Sequence, residues 1–155
     1  EKGSEVGAHI LSGAVLETKA LDELIPDWKS KDTPLKTETK KDNFILLTKN
    51  KSFKLPTPPQ MKNDGNYIIS LGNFCRWLAK QAEELGVNIF PGFAASEILY
   101  DEKTKKVIGI RIGDQGIDKN GKQLENFQQG YDLLAKQTIF AEGCHGSLTK
   151  KLINK

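Results

Sequence analysis

The residues best equipped for chemistry lie near the end of the chain, in the run Thr138-Ile139-Phe140-Ala141-Glu142-Gly143-Cys144-His145-Gly146. An apolar stretch leads into a carboxylate and a Gly-x-x-Gly turn, and residues 147–153 read as the start of a helix. Glycine permits a turn with φ > 0 and a close approach of backbone to a ligand. A strand that ends in such a turn and a helix N-terminus can aim N–H groups at a phosphate. The same residues also suit a plain strand-to-helix connection. Glu1 is the second carboxylate of interest, because at the end of a strand it can accept two hydrogen bonds from a ribose diol. A frayed, solvated glutamate is the competing reading. The chain opens at Glu1-Lys2-Gly3, with no Met and no element to begin a domain, which reads as a start in mid-fold just after a strand. Together the two ends suggest an interior piece of a flavin- or nicotinamide-binding protein. The sequence contains no GxGxxG, so the glycine fingerprint of a dinucleotide fold is not among these residues.

Other reactive groups count for less. Cys144 and His145 are adjacent, and neighbours in sequence rarely face each other as a nucleophile and its base must. Cys75 falls in an apolar helical stretch and reads as a buried thiol. With two cysteines, two histidines and no CxxC pair, neither a disulfide framework nor an internal zinc site is expected, and no metal ligand is assigned. The small residues Gly7-Ala8-His9 and Ser12-Gly13-Ala14 are places where a flat ring or an isoprenoid tail can approach backbone, or simply tight loops. No catalytic residue is assigned.

These groups must be positioned by a fold of modest size. At 155 residues, 37% hydrophobic and 28% charged, the chain has the composition of a globular domain with a real core. A net charge of +3, with lysines spread among acidic residues, argues against nucleic-acid binding. No run approaches the roughly 20 apolar residues that span a bilayer. The clearest element is a helix over residues 72–85, where Leu71, Phe74, Leu78, Ala82 and Leu85 recur at three- and four-residue steps and Gly86 supplies the stop. Residues 44–48 and 52–55 flank Lys49-Asn50-Lys51 as a hairpin, which the prolines at 56, 58 and 59 terminate. Residues 87–90, 94–100, 107–112 and 138–141 are predicted strands, with turns at 101–106 and 118–122. Residues 30–42 read as a polar connector, and residues 10–16 as an apolar loop followed by a short helix that ends before Pro26. The expected class is α/β with α+β elements: part of a two- or three-layer FAD-binding flavoprotein fold with a β-meander, its N-terminal βαβ unit lying outside these residues.

Taken together, several stretches resemble the electron transfer flavoprotein–ubiquinone oxidoreductase family. They are Glu1-Lys2 with Val6-Gly7-Ala8-His9-Ile10-Leu11-Ser12-Gly13-Ala14, Pro26-Asp27-Trp28-Lys29, Gly65-Asn66-Tyr67-Ile68-Ile69, and Gln81-Ala82-Glu83-Glu84-Leu85-Gly86-Val87. Phe90-Pro91-Gly92-Phe93-Ala94-Ala95, Asp114-Gln115-Gly116-Ile117-Asp118-Lys119-Asn120-Gly121 and the 138–146 run complete the series in the family's order. The resemblance implies a peripheral enzyme of the mitochondrial inner membrane. It would pass electrons from reduced electron transfer flavoprotein, through FAD and a 4Fe-4S iron–sulfur cluster, to ubiquinone. It implies that Glu1 binds the adenosine ribose of FAD, that Ala95 touches the adenine side through its backbone, and that Glu142 and Gly143 lie by the pyrophosphate or ribose. It makes the whole of residues 1–155 a partial FAD-binding domain. Within it, an apolar segment at about 6–27 would face the membrane and the quinone entrance, through Gly7, Ala8, His9, Leu11, Ser12 and Gly13. The cluster's cysteine ligands are not in this chain. A related FAD reductase of the geranylgeranyl reductase or bacterial FixC type, and a non-catalytic truncated product, are the alternatives.

Overall fold

A computed structural model describes residues 1–10 and 13–154 of the chain. It divides into two compact units, residues 5–89 and residues 1–4 with 90–155. Leu11 and Ser12 lie outside the described residues.

The first of these units is built on aromatic packing. Strand β1 (Ala14–Leu16) leads into helix α1 (Lys19–Leu24), and a 3-10 turn (Trp28–Ser30) follows. Strands β2 (Thr37–Glu38), β3 (Phe44–Leu47), β4 (Ser52–Leu55) and β5 (Tyr67–Ile69) precede the long helix α2 (Leu71–Glu84). The strands β1, β5 and β2 form one antiparallel sheet with β5 at its centre. Leu21, Trp28, Leu35, Ile69, Phe74 and Trp77 make the core, with Leu71 and Leu78 packed against it. Trp28 is 1% exposed, meets Tyr67 edge to face at 5.5 Å, and donates its indole N–H to Asp22 at 2.6 Å. Trp77 donates to the Lys31 carbonyl at 2.9 Å, so both indoles enter the core with their one polar group satisfied.

Helix α2 follows its sequence signals closely. Ser70 caps it by accepting from the Asn73 N–H. At the far end Val87 N–H reaches the Ala82 carbonyl and Gly86 N–H the Glu83 carbonyl, the paired bonds of a Schellman stop, with Gly86 at φ +87°. The buried face is carried by Gly72, Phe74 and Trp77, whereas Leu85 is 86% exposed because it sits at the cap, past the last helical turn. Three expectations need revision. Residues 14–16, read as part of an apolar loop, form β1 because β5 supplies their partner. The stretch 30–42 holds a two-residue strand as well as connector, and residues 87–90 form no strand. A strand is defined by its partner, and among the described residues none pairs with 87–90.

The second unit is mostly ladder. Strand β6 (Ala95–Tyr100) pairs with β7 (Val107–Ile112), and β7 pairs with β10 (Asp132–Leu134), all antiparallel. A separate hairpin joins β8 (Gln115–Ile117) to β9 (Gln123–Gln128) across the Asp118 turn, where the Asp118 carboxylate accepts from the Asn120 and Lys122 N–H groups. Helix α3 (Ser147–Ile153) packs on β6 and buries Leu148, which is 2% exposed. Residues 138–141 are irregular, and Ile139 is exposed, so the predicted final strand is not formed. Every ladder among the described residues is antiparallel, which narrows the fold from α/β to mixed α and β with antiparallel sheets.

Candidate cofactor site

Glu142 and Gly143 sit at the head of α3. Gly143 has φ +72°, and the Gly146 N–H closes the turn on the Gly143 carbonyl at 3.3 Å. Gly146 is the residue before the helix and has no side chain to cap it. The cap comes instead from Glu142, whose Oε1 accepts from the Leu148 N–H at 3.2 Å. Its Oε2 accepts from the Thr149 N–H at 2.7 Å and the Thr149 hydroxyl at 2.8 Å. These bonds, with the Thr149 backbone N–H first, hold the Glu142 carboxyl below its ordinary range. A Cβ on Gly146 would stand 2.7 Å from the Glu142 Cβ and 2.8 Å from its Oε2, so the cap requires glycine there. The helix N–H groups that the sequence offered to a phosphate are therefore engaged by the chain's own carboxylate. A Cβ on Gly143, by contrast, would meet nothing within 4 Å, so its backbone faces open space.

Glu1 lies in the same unit, against the 90–92 turn. Its α-amino group donates to the Phe90 carbonyl at 3.2 Å, and its Oε1 accepts from the Gly3 N–H at 2.7 Å. Gly92 N–H then donates to the Gly3 carbonyl at 2.6 Å, and the Gln115 amide donates to the Gly92 carbonyl at 3.0 Å. Gly3, Gly92 and Gln115, far apart in sequence, are thus joined by one backbone–backbone bond and one bond from a side-chain amide. Ala95 opens β6, exposed, opposite Ile112 in the ladder. All four predicted cofactor residues fall in this one unit.

Of the predicted quinone-facing residues, Gly7, Ala8, His9 and Gly13 fall in the other, and Leu11 and Ser12 lie outside the described residues. Residues 5–10 make a tight turn, with Ala8 N–H on the Glu5 carbonyl and Ile10 N–H on the Gly7 carbonyl, both at 3.3 Å. Gly7 has φ +83°, and a Cβ there would stand 2.7 Å from the Gly72 carbonyl oxygen of α2. Arg76 donates to the Val6 carbonyl at 3.5 Å and to Asn73 at 2.5 Å, on the same side of the helix. Ala8, His9 and Gly13 are exposed.

One feature had no warning in the sequence. A cleft of about 560 Å³ opens beside β7 and β10, bordered by Ser96, Arg111, Asp114, Gly130, Tyr131 and Asp132. Arg111 forks onto Asp132 with bonds of 2.6 and 2.9 Å and reaches Glu97 at 3.4 Å. The Asp132 carboxyl is lowered by its hydrogen bond to Arg111, and the guanidinium is raised in turn. The pair is invisible until β10 is laid on β7, because residues 111 and 132 face each other only in that register. The cleft contains no nucleophile with a base beside it. Among the described residues no group of three or more His, Cys, Asp or Glu side chains could hold a metal ion.

No family model matches the chain. Individual proteins do. The electron transfer flavoprotein–ubiquinone oxidoreductase of Dictyostelium discoideum, named as mitochondrial, is 61% identical over 155 residues, 100% of this chain and 25% of its own length. The probable enzyme of Acinetobacter baylyi is 57% identical over 159 residues, covering 100% of this chain and 28% of its own. The mitochondrial protein of Bos taurus is 48% identical over 157 residues, again with 100% of this chain and 25% of its own. Along its whole length, the chain is similar to these proteins. It spans about a quarter of the length of these electron transfer flavoprotein–ubiquinone oxidoreductases. The family's name covers both of the chain's units, since the matches run through every residue of it.

Proposed function

We propose that this chain is part of an oxidoreductase that passes electrons from reduced electron transfer flavoprotein to ubiquinone, an electron-transferring-flavoprotein dehydrogenase. The observation that carries the reading is the end-to-end identity with proteins of that name. FAD is the implied cofactor, and bound flavin would supply the redox chemistry between donor and quinone. The residues present fit part of such a group: a carboxylate at Glu1 anchored by its own turn, and open backbone at Gly143. In this reading Glu1 accepts the adenosine ribose hydroxyls and Ala95 presents backbone to the adenine. Gly143 approaches the pyrophosphate or ribose, with Glu142 holding the turn rigid. The residues would then belong to an FAD-binding fold, with an iron–sulfur cluster bound by other parts of the protein.

The turn at Gly7, Ala8 and His9, exposed at Ala8 and His9, is read together with exposed Gly13 as facing the quinone and the membrane, within a segment at about 6–27 that also carries exposed Leu24. In this reading the protein sits peripherally on the mitochondrial inner membrane; the word mitochondrial in the names of several relatives supports the organelle. Among the described residues no helix is long and apolar enough to cross a membrane. The decisive test is an absorbance spectrum of the longer protein containing these residues, after incubation with FAD and desalting. Flavin bands are expected, together with reduction of a soluble ubiquinone analogue by reduced electron transfer flavoprotein. Glu1→Ala is expected to lower the flavin retained. A longer protein that stays colourless and inert would end the proposal.

A further inference from the structure

The turn of residues 5–10 meets helix α2 through two kinds of contact. One is main chain on main chain. A Cβ on Gly7 would stand 2.7 Å from the Gly72 carbonyl oxygen, and one on Gly72 would stand 3.1 Å from the Gly7 carbonyl oxygen. The other is Arg76, one helical turn beyond Gly72 on the same face. Its Nη1 donates to the Val6 carbonyl at 3.5 Å, and its Nη2 donates to Asn73 Oδ1 at 2.5 Å. A Cβ on Gly7 would also come within 3.1 Å of that Nη1, so the guanidinium lies against the turn.

The chemistry of the group explains the arrangement. A guanidinium is planar and carries its donors in a fixed fork, so anchoring one arm aims the other. The anchor, Asn73, is three residues away on α2 itself, and takes the shorter bond. The bond to Val6 is long, but its donor is charged, and the attraction of a charge for a carbonyl declines gradually with distance. The two arginines of the sequence differ in this respect. Arg111 is claimed by Asp132 and Glu97, whereas Arg76 forms no ion pair among the described residues. A carboxylate beside Arg76 would compete with the carbonyl for the fork. Neutral acceptors leave it on the turn.

We propose that Arg76 is a positioning residue for quinone reduction. Anchored by Asn73, it sets the height of the 5–10 turn over α2, and so the placement of the exposed Ala8 and His9 toward the quinone. Arg76 acts through the Val6 carbonyl and not on the quinone itself. The proposal rests on the reading of this turn as quinone-facing.

Steady-state kinetics of the longer protein, with reduced electron transfer flavoprotein and a soluble ubiquinone analogue, decide it. Arg76→Gln is expected to raise KM for the analogue on the order of 10-fold, because the turn is displaced while the chemistry is not. The kcat, the flavin retained and the rate of flavin reduction by the donor are expected to stay unchanged. Asn73→Ala should raise KM in the same direction, and adding it to Arg76→Gln should raise it little further, since both break one chain of contacts. Arg76→Lys keeps the charge, but an ammonium is a single point that does not span both acceptors, so its KM should stay near that of Arg76→Gln. An unchanged KM in Arg76→Gln would overturn the proposal. So would full recovery in Arg76→Lys, which indicates charge alone, or a matching loss of flavin, which indicates a general part in the fold. Ala8→Trp tests the underlying reading separately. A KM raised in Ala8→Trp and unchanged in Arg76→Gln removes the positioning role and leaves the turn facing the quinone. A KM unchanged in both removes the quinone-facing reading, and the proposal with it.

Discussion

The two units solve the problem of stability differently. Residues 5–89 bury six large hydrophobic side chains in one cluster, two of them tryptophans with satisfied indoles. Among its described apolar residues the other unit buries only Ile112 and Leu148, and it relies on ladders, an Arg–Asp fork and a carboxylate cap. Apolar burial scales with area and tolerates rearrangement, whereas caps and forks depend on single atoms. The first unit is therefore held by packing, and the second by a few specific polar contacts that leave its surface available.

That contrast can be broken most forcefully at Trp28. Trp28→Ala removes a side chain that is 1% exposed, and should cost about 3–5 kcal/mol in chemical denaturation. The sequence has two tryptophans, Trp28 and Trp77, both in this unit, so the Trp77 fluorescence that remains reports the loss directly. Leu148→Ala should cost about 2–5 kcal/mol in the other unit. If the tryptophan-detected transition of residues 5–89 moved by the same amount, the two units would not be energetically distinct. A smaller loss is expected from Gly146→Ala, which drives a methyl group into the Glu142 cap and should fray α3, seen as faster amide exchange at Leu148 and Thr149.

Acid offers a gentler probe. The carboxyl groups of Glu142 and Asp132 are both lowered in the folded state, by Thr149 and by Arg111. Their contribution is fully present above the ordinary carboxylate pKa of about 4 and is lost as pH falls through the lowered values. Glu142→Gln should flatten part of that acid dependence, in a thermal melt followed between pH 5 and about pH 2. The smallest effect belongs to Lys36→Ala. Its ion pair with Asp32 at 3.3 Å is exposed on both sides, and no change in melting temperature is expected.

Local signals carried much of the fold. The period of Leu71, Phe74 and Leu78, the Ser70 cap and the Gly86 stop all act within a turn or two of where they appear, so α2 is legible from residues alone. The same holds for the β3–β4 and β6–β7 turns and for α3. What failed was pairing. Residues 87–90 and 138–141 have strand-like composition, but composition does not supply a partner. The short strands β2 and β5 were missed for the converse reason, being made by their neighbours. At the candidate site the Glu142-Gly143 turn was visible, whereas the seven-residue reach of Glu142 to Thr149 and the Arg111–Asp132 fork depend on geometry that no spacing rule encodes.

The meeting of Gly7 and Gly72 has a consequence for how this molecule can diverge. The 5–10 turn rests on α2 through main-chain atoms, with a carbonyl oxygen of each glycine where the other's methyl group would go. Apart from Arg76, which donates to the Val6 carbonyl, side chains around the contact have little part in setting the turn's height above the helix. The two glycines differ in how much they can drift. A lineage that loses Gly7 must shift a whole turn of backbone in the same step, and with it the exposed Ala8 and His9, whereas one that loses Gly72 asks that turn to give by only a few tenths of an ångström.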